Sequence, residues 1–202
     1  VKINGDHSLA TGGAVTIGAI DVNGQGAGGN VGFTVGHNAT LGSVSDAAKI
    51  TVAGDFAAAN KIKITFGAAV ALKLDGTAAV TPSNAIVAND YKGVGVIDFA
   101  NQPGTLEINL AAPTEITLSE QIKSTGGTNG TITLTSANKV NFGGRIGAGG
   151  GTGLTALNIV GATAQANFSH AANVAQIATV TLTGNKSAAS FAGGLKGNAV
   201  LD

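Results

Sequence analysis

Five carboxylates are the groups of this chain best suited to do chemistry: Asp90, Asp98, Glu107, Glu115 and Glu120. Asp90 and Asp98 flank VGV, and the three glutamates fall on successive strand-like segments. Glycoside cleavage needs two carboxyl groups about 5–10 Å apart, one to protonate the leaving oxygen and one to attack or to activate water. A polysaccharide lyase or tailspike-like glycosidase would add an arginine or lysine beside them. Asp98 with Glu107 or Glu115 is the pair that stacking could bring together by chance. The only arginine, Arg145, sits instead in a run of glycines.

The other reactive types are dispersed. His7, His37 and His170 stand in no H-x-E, H-x-x-H or H-E-x-x-H pattern and read as solvated turn residues. No G-x-S-x-G elbow occurs. The glycine runs NGQGAGGN (23–30) and GAGGG (147–151) have no helix after them and no acidic residue about twenty positions on, so they read as turns and not as dinucleotide cradles. No G-G-x-G-x-D calcium repeat is present. The sequons at Asn38, Asn129, Asn167 and Asn185 read as turn chemistry. The chain has no cysteine, which excludes a disulfide framework and thiolate metal sites. No catalytic residue, cofactor or metal site is therefore assigned, and the chain is read as non-enzymatic.

Charge points the same way. Eleven basic and eleven acidic residues cancel, and charged residues are 11% of the chain against 44% hydrophobic. Such a surface does not attract phosphate backbones, so nucleic acid is not expected as a partner. No apolar run is long enough for a membrane helix, since Lys73 and Asp75 interrupt the longest. VKINGDH at the start is neither basic nor apolar, so no signal peptide is expected there and a piece of a longer protein is.

The elements that must position these residues are short strands. VGFTV (31–35), KIKITF (61–66), VALKL (70–74), TLEINL (105–110), TITLT (131–135), KVNF (139–142), LNIV (157–160) and TVTLT (179–183) alternate or are rich in branched residues, and turns of Gly, Asn, Ser or Asp separate them. AAANKI and DAAKI are each under two helical turns and lie beside strand. LNIVGATAQANF (157–168) aligns without gaps on VTLTGNKSAASF (180–191), an offset of 23 residues. ITVAGDF (50–56) is a weaker echo. Self-similarity near this period marks a solenoid. The predicted fold is one all-β domain over 1–202, a right-handed parallel β-helix of about nine coils at roughly 22 residues each, with an irregular or looped segment near 80–104.

That fold assigns roles within NFGGRIGAGG (141–150). Val140 and Phe142 point into the tube at a spacing of two, Gly143 and Gly144 turn the corner, and Ile146 points inward again. Asn141, Asn167 and Ser190 each precede a phenylalanine and are predicted to stack as a polar ladder. The candidate for partner contact is the loop carrying Asp90, Tyr91 and Lys92, with the lone tyrosine beside two charges. Sheet faces bearing Lys61, Lys63 and Lys73 are weaker candidates.

The text from Lys139 to Asp202 resembles the passenger regions of the rickettsial surface cell antigens, the outer membrane protein A/B-like autotransporters. It carries their V-x-F-x-G-x-I phrase, then L-x-x-L-x-I/V-x-G, then a small residue and Phe; the likeness is looser over 1–138. The resemblance implies type V secretion and a passenger held at the bacterial cell surface and outer membrane. It implies adhesion to a host-cell surface protein and host-cell invasion, with self-association into a surface layer. The translocator barrel of such proteins has no counterpart in this text. A β-helical polysaccharide-cleaving enzyme and a purely structural layer subunit are the alternative functions.

Overall fold

The computed structural model describes residues 96–110, 115–118, 121–136, 139–147 and 153–201, and before them Ala69 and the strands between Lys2 and Gly76 and at Ile86–Ala88. Alternating branched residues extend the backbone and leave each segment with one apolar edge to bury. These segments lie parallel in four sheets. The first holds β1 (Lys2–Ile3), β4 (Ala19–Asn23), β7 (Lys49–Ala53) and β10 (Ile86–Ala88). The second holds β2 (His7–Leu9), β5 (Val31–Val35), β8 (Ile62–Phe66), β11 (Val96–Asp98) and β14 (Gln121–Lys123). The third, of eight strands, holds β3 (Val15–Ile17), β6 (Ala39–Leu41), β9 (Ala71–Gly76), β12 (Thr105–Leu110), β15 (Thr131–Leu134), β17 (Leu154–Ile159), β19 (Ala175–Leu182) and β21 (Leu195–Leu201). The fourth holds β13 (Glu115–Leu118), β16 (Lys139–Phe142), β18 (Gln165–Phe168) and β20 (Ala188–Phe191).

From β1 to β12 the chain visits the first, second and third sheets in rotation, so each turn adds one strand to each face. That is the winding of a parallel β-helix, with every paired strand parallel to its neighbour. No helix occurs among the described residues. The third sheet stacks eight strands where the sequence suggested nine coils. At ~4.8 Å per step it rises about 34 Å from first strand to last.

Coil length is not constant. Leu157 pairs with Val180 and Phe168 with Phe191, the 23-residue offset seen in the text. Asn141 and Asn167 are 26 residues apart, and from Ile50 to its partner Ile86 the chain takes 36. Of the segment read as irregular near 80–104, residues 80–85 and 89–95 lie outside the described residues. Ile86–Ala88 and Val96–Asp98 both stay in register with their neighbours, but the first sheet ends at β10 and its place in the winding order passes to the fourth, which begins at β13.

The interior consists of columns of equivalent residues. Leu72, Leu106, Ile132, Leu157 and Val180 stack in register through the third sheet, each fully buried. Burying one such side chain contributes roughly 1.5–3 kcal/mol. Phenylalanines fill two corners. Phe66 and Phe99 stack with ring centroids 4.5 Å apart, and Phe142, Phe168 and Phe191 form a second stack at 4.6 Å per step. Val140, Phe142 and Ile146 are buried as NFGGRIG required, and the amide of Gly143 donates to the carbonyl of Leu118 in the preceding coil.

Gly161 and Gly184 explain the glycine that follows each strand in the two aligned stretches. A Cβ on Gly161 would run into the carbonyl of Ser136, and one on Gly184 into the carbonyl of Gly161. At this corner successive coils approach too closely for any side chain.

The corner after β11 is turned without glycine. Ala100 and Asn101 both take left-handed conformations, with φ of 48° and 61°, and the amide of Gln102 donates to the carbonyl of Phe99 at 2.8 Å. Two successive positive φ angles inside that bond make a type I′ turn. Alanine is strained there by roughly 1–2 kcal/mol. Ala100→Gly is expected to raise stability by about 0.5–1 kcal/mol, read as a higher urea midpoint at unchanged slope; a lowered midpoint would contradict the strain.

Candidate functional site

The fourth sheet carries the most regular polar surface. Strand alternation turns Val140, Phe142, Ala166 and Phe168 inward, so the residues between them face out. Two outward columns result. One runs Lys139, Gln165, Ala188 and the other Asn141, Asn167, Ser190, with Glu115 and Thr117 in register with Lys139 and Asn141 on the preceding strand. The predicted ladder is present: Asn167 Nδ2 donates to Asn141 Oδ1 at 3.0 Å, and Ser190 Oγ donates to Asn167 Oδ1 at 2.8 Å. Between the columns lies a shallow trough of about 340 Å³ lined by Lys139, Gln165, Ala166, Asn167, Ala188, Ala189 and Ser190. Sequence reading found the ladder but missed Gln165 and Ala188. Their signal is position alone, two residues before a ladder residue in each coil.

The carboxylates are separated by the winding. Asp98 ends β11 in the second sheet, Glu107 lies in β12 of the third, and Glu115 opens β13 of the fourth. Each has a lysine as its cross-strand neighbour: Lys123 for Asp98, Lys73 for Glu107 and Lys139 for Glu115. Asp98 is 1% exposed. Its Oδ1 accepts from the amides of Ala100 and Thr125, both at 2.9 Å. Its Oδ2 accepts from Thr125 Oγ1 at 2.8 Å, and Lys123 Nζ lies 3.9 Å away. This carboxylate closes the type I′ corner and ties it to the next coil. Asp98→Ala would strand buried donors, each costing roughly 1–3 kcal/mol. A loss of about 2–3 kcal/mol is expected in chemical denaturation; an unchanged midpoint would release Asp98 from the structural role.

Glu107 Oε1 accepts from Thr135 Oγ1 at 3.3 Å. Glu120 lies outside the described residues, as do Asp90, Tyr91 and Lys92, the loop read as a contact surface, and also His37 and Lys61. Lys63 is on β8 and Lys73 on β9. His7, read as a turn residue, is in strand β2, opposite Phe33. His170 behaves as a local turn residue: Asn173 Nδ2 lies 3.0 Å from its Nδ1. Arg145 offers its carbonyl to the amide of Ile122, while its buried Nε has no partner among the described residues. No three His, Asp or Glu among the described residues come together as metal ligands would.

Comparison with known proteins gives one informative likeness. The chain is similar to Outer membrane protein B of Rickettsia typhi, with 30% identity over an alignment of 201 residues covering 82% of this chain and 12% of that protein. The chain thus spans 12% of the length of the curated relative it matches. No family model matches, and no solved structure does.

Proposed function

We propose that this chain, as a relative of a rickettsial outer membrane protein, is a stretch of autotransporter passenger held at the bacterial cell surface. There it contacts a host-cell surface protein and takes part in adhesion and invasion, without chemistry of its own. The observation that carries the reading is the likeness to Outer membrane protein B along 82% of the chain. The fold is in keeping with it. A solenoid whose coils contact only their neighbours is a stiff spacer with long sides, and Asp98, Glu107 and Glu115 lie in three different sheets.

The test is adherence. Beads coated with the purified chain are expected to bind cultured host cells above beads coated with an unrelated β-helix, and mild protease treatment of the cells is expected to remove the difference. Equal binding by both bead types would overturn the reading. Sedimenting assemblies without cell binding would replace it with a layer subunit, and release of reducing ends from polysaccharide would replace it with an enzyme.

A further inference from the structure

We propose that the trough on the outer face of the fourth sheet binds a neutral, extended, β-linked polysaccharide chain lying along the solenoid axis. The inference goes beyond the adhesion reading and does not depend on it.

The shape comes from the pleat and the stacking. The walls are the two outward columns, two residues apart along each strand and so about 6.5 Å apart. The floor is strand backbone at Ala166 and Ala189, because the Ala166 side chain is turned inward and buried. The trough is open because the first column shortens. Lys139 and Gln165 are long, and the next residue in register is Ala188.

The chemistry suits hydroxyl groups. The Gln165 side chain is exposed and makes no hydrogen bond within the described chain, so its amide offers both donor and acceptor. Asn167 commits one N–H to Asn141 and its oxygen to Ser190, which leaves its second N–H for a ligand. No carboxylate lines the trough, and the one lysine, Lys139, has Glu115 as its cross-strand neighbour. A neutral ligand therefore matches the trough better than a charged one. No aromatic lines it either, so affinity must accumulate from repeated polar contacts.

The periodicity selects the form of the ligand. Rungs recur every ~4.8 Å along the axis, and an extended β-linked pyranose chain advances by nearly the same length per sugar. Each rung would then meet one sugar, and because neighbouring sugars of such a chain face opposite ways, every second rung would meet the same face. The ladder hydrogen bonds hold the rungs before the ligand arrives, which lowers the ordering cost of binding. An α-linked glucan coils and loses this match.

The test is an NMR titration of the full 202-residue chain with cellohexaose, against maltohexaose and glucose. Saturable shifts are expected at Gln165, Asn167 and Ser190 with cellohexaose, and binding at least about ten-fold weaker for the two controls. Ala188→Arg fills the trough from an exposed position and is expected to weaken cellohexaose binding about ten-fold or more with an unchanged melt. Gln165→Ala, also at an exposed position, is expected to weaken it several-fold and serves if the arginine variant fails to fold. The proposal is overturned by an absence of saturable shifts up to the solubility limit, by equal binding of maltohexaose, or by wild-type affinity in a folded Ala188→Arg or Gln165→Ala variant.

Discussion

Phe168→Asp is expected to abolish the folded state of the C-terminal coils. The Phe168 ring is 4% exposed. It lies between Phe142 and Phe191 with centroids 4.6 Å away on both sides and planes within 8° and 5° of parallel. Truncating a buried phenylalanine costs about 3–5 kcal/mol, and aromatic stacking adds roughly 0.5–1.5 kcal/mol for each lost pair. A carboxylate with no partner in that stack costs several kcal/mol more. A domain typically holds about 5–15 kcal/mol in all. The lesion is also not local, because a solenoid is stabilised by interfaces between neighbouring coils and Phe168 belongs to two of them. The expected result is loss of the cooperative transition in a circular-dichroism melt, with amide protection lost from β16 through β20. Phe168→Leu keeps the tube filled and is expected to cost only about 1–2 kcal/mol. An aspartate variant that melts like the parent would place this ring in solvent and remove the stacked core.

The second large effect is expected from the smallest addition, a methyl group at Gly130. This residue has a φ of 88°, and a Cβ there would enter the ring of Phe99. That ring cannot retreat easily, since it is buried and stacked on Phe66. Gly130→Ala adds left-handed strain of about 1–2 kcal/mol to overpacking of about 1–3 kcal/mol. A loss of about 2–5 kcal/mol is expected in equilibrium denaturation. Combining it with Phe99→Leu tests the mechanism, because vacating the ring space should make the double variant less unstable than the sum of the two changes. Strict additivity, or a loss under about 0.5 kcal/mol, would mean that the ring and the glycine do not meet.

Much of the C-terminal half was legible because its information is local. Alternation at a spacing of two decides which side of a strand is wet, so Val140 and Phe142 fall inside and Asn141 outside without knowledge of any neighbour. A repeated F, each preceded by N or S, then needs only stacking to become the ring column and the amide ladder. Coil length was less legible. The offset of 23 holds between the last two aligned stretches, yet 26 separates Asn141 from Asn167 and 36 separates Ile50 from Ile86. Corners absorb extra residues without disturbing strand register, so a period read from one pair of coils does not carry along the chain.

The trough was not legible for a related reason. The 23-residue offset sets Gln165 on Ala188, but nothing in the sequence marks the pair as lining a trough until the fold places Lys139 on the coil before them. Asp98 shows the same limit from the chemical side. In the text it is a carboxylate with two more acids downstream, a reasonable half of a hydrolytic pair. In the fold it lies under Thr125 and the amide of Ala100, while Glu107 and Glu115 go to other faces.

By itself the amino-acid sequence determined the short strands, the inward and outward residue of each, and the winding as a stack of parallel coils, because pleat, β-branching and turn chemistry act within a few residues. Tertiary structure alone decided which segments meet beyond the two aligned stretches, where one face of the tube gives way to another, and whether a given carboxylate is caged or open. Those outcomes depend on register between segments some 19 to 36 residues apart, and register follows from how the stacked side chains fill the tube together.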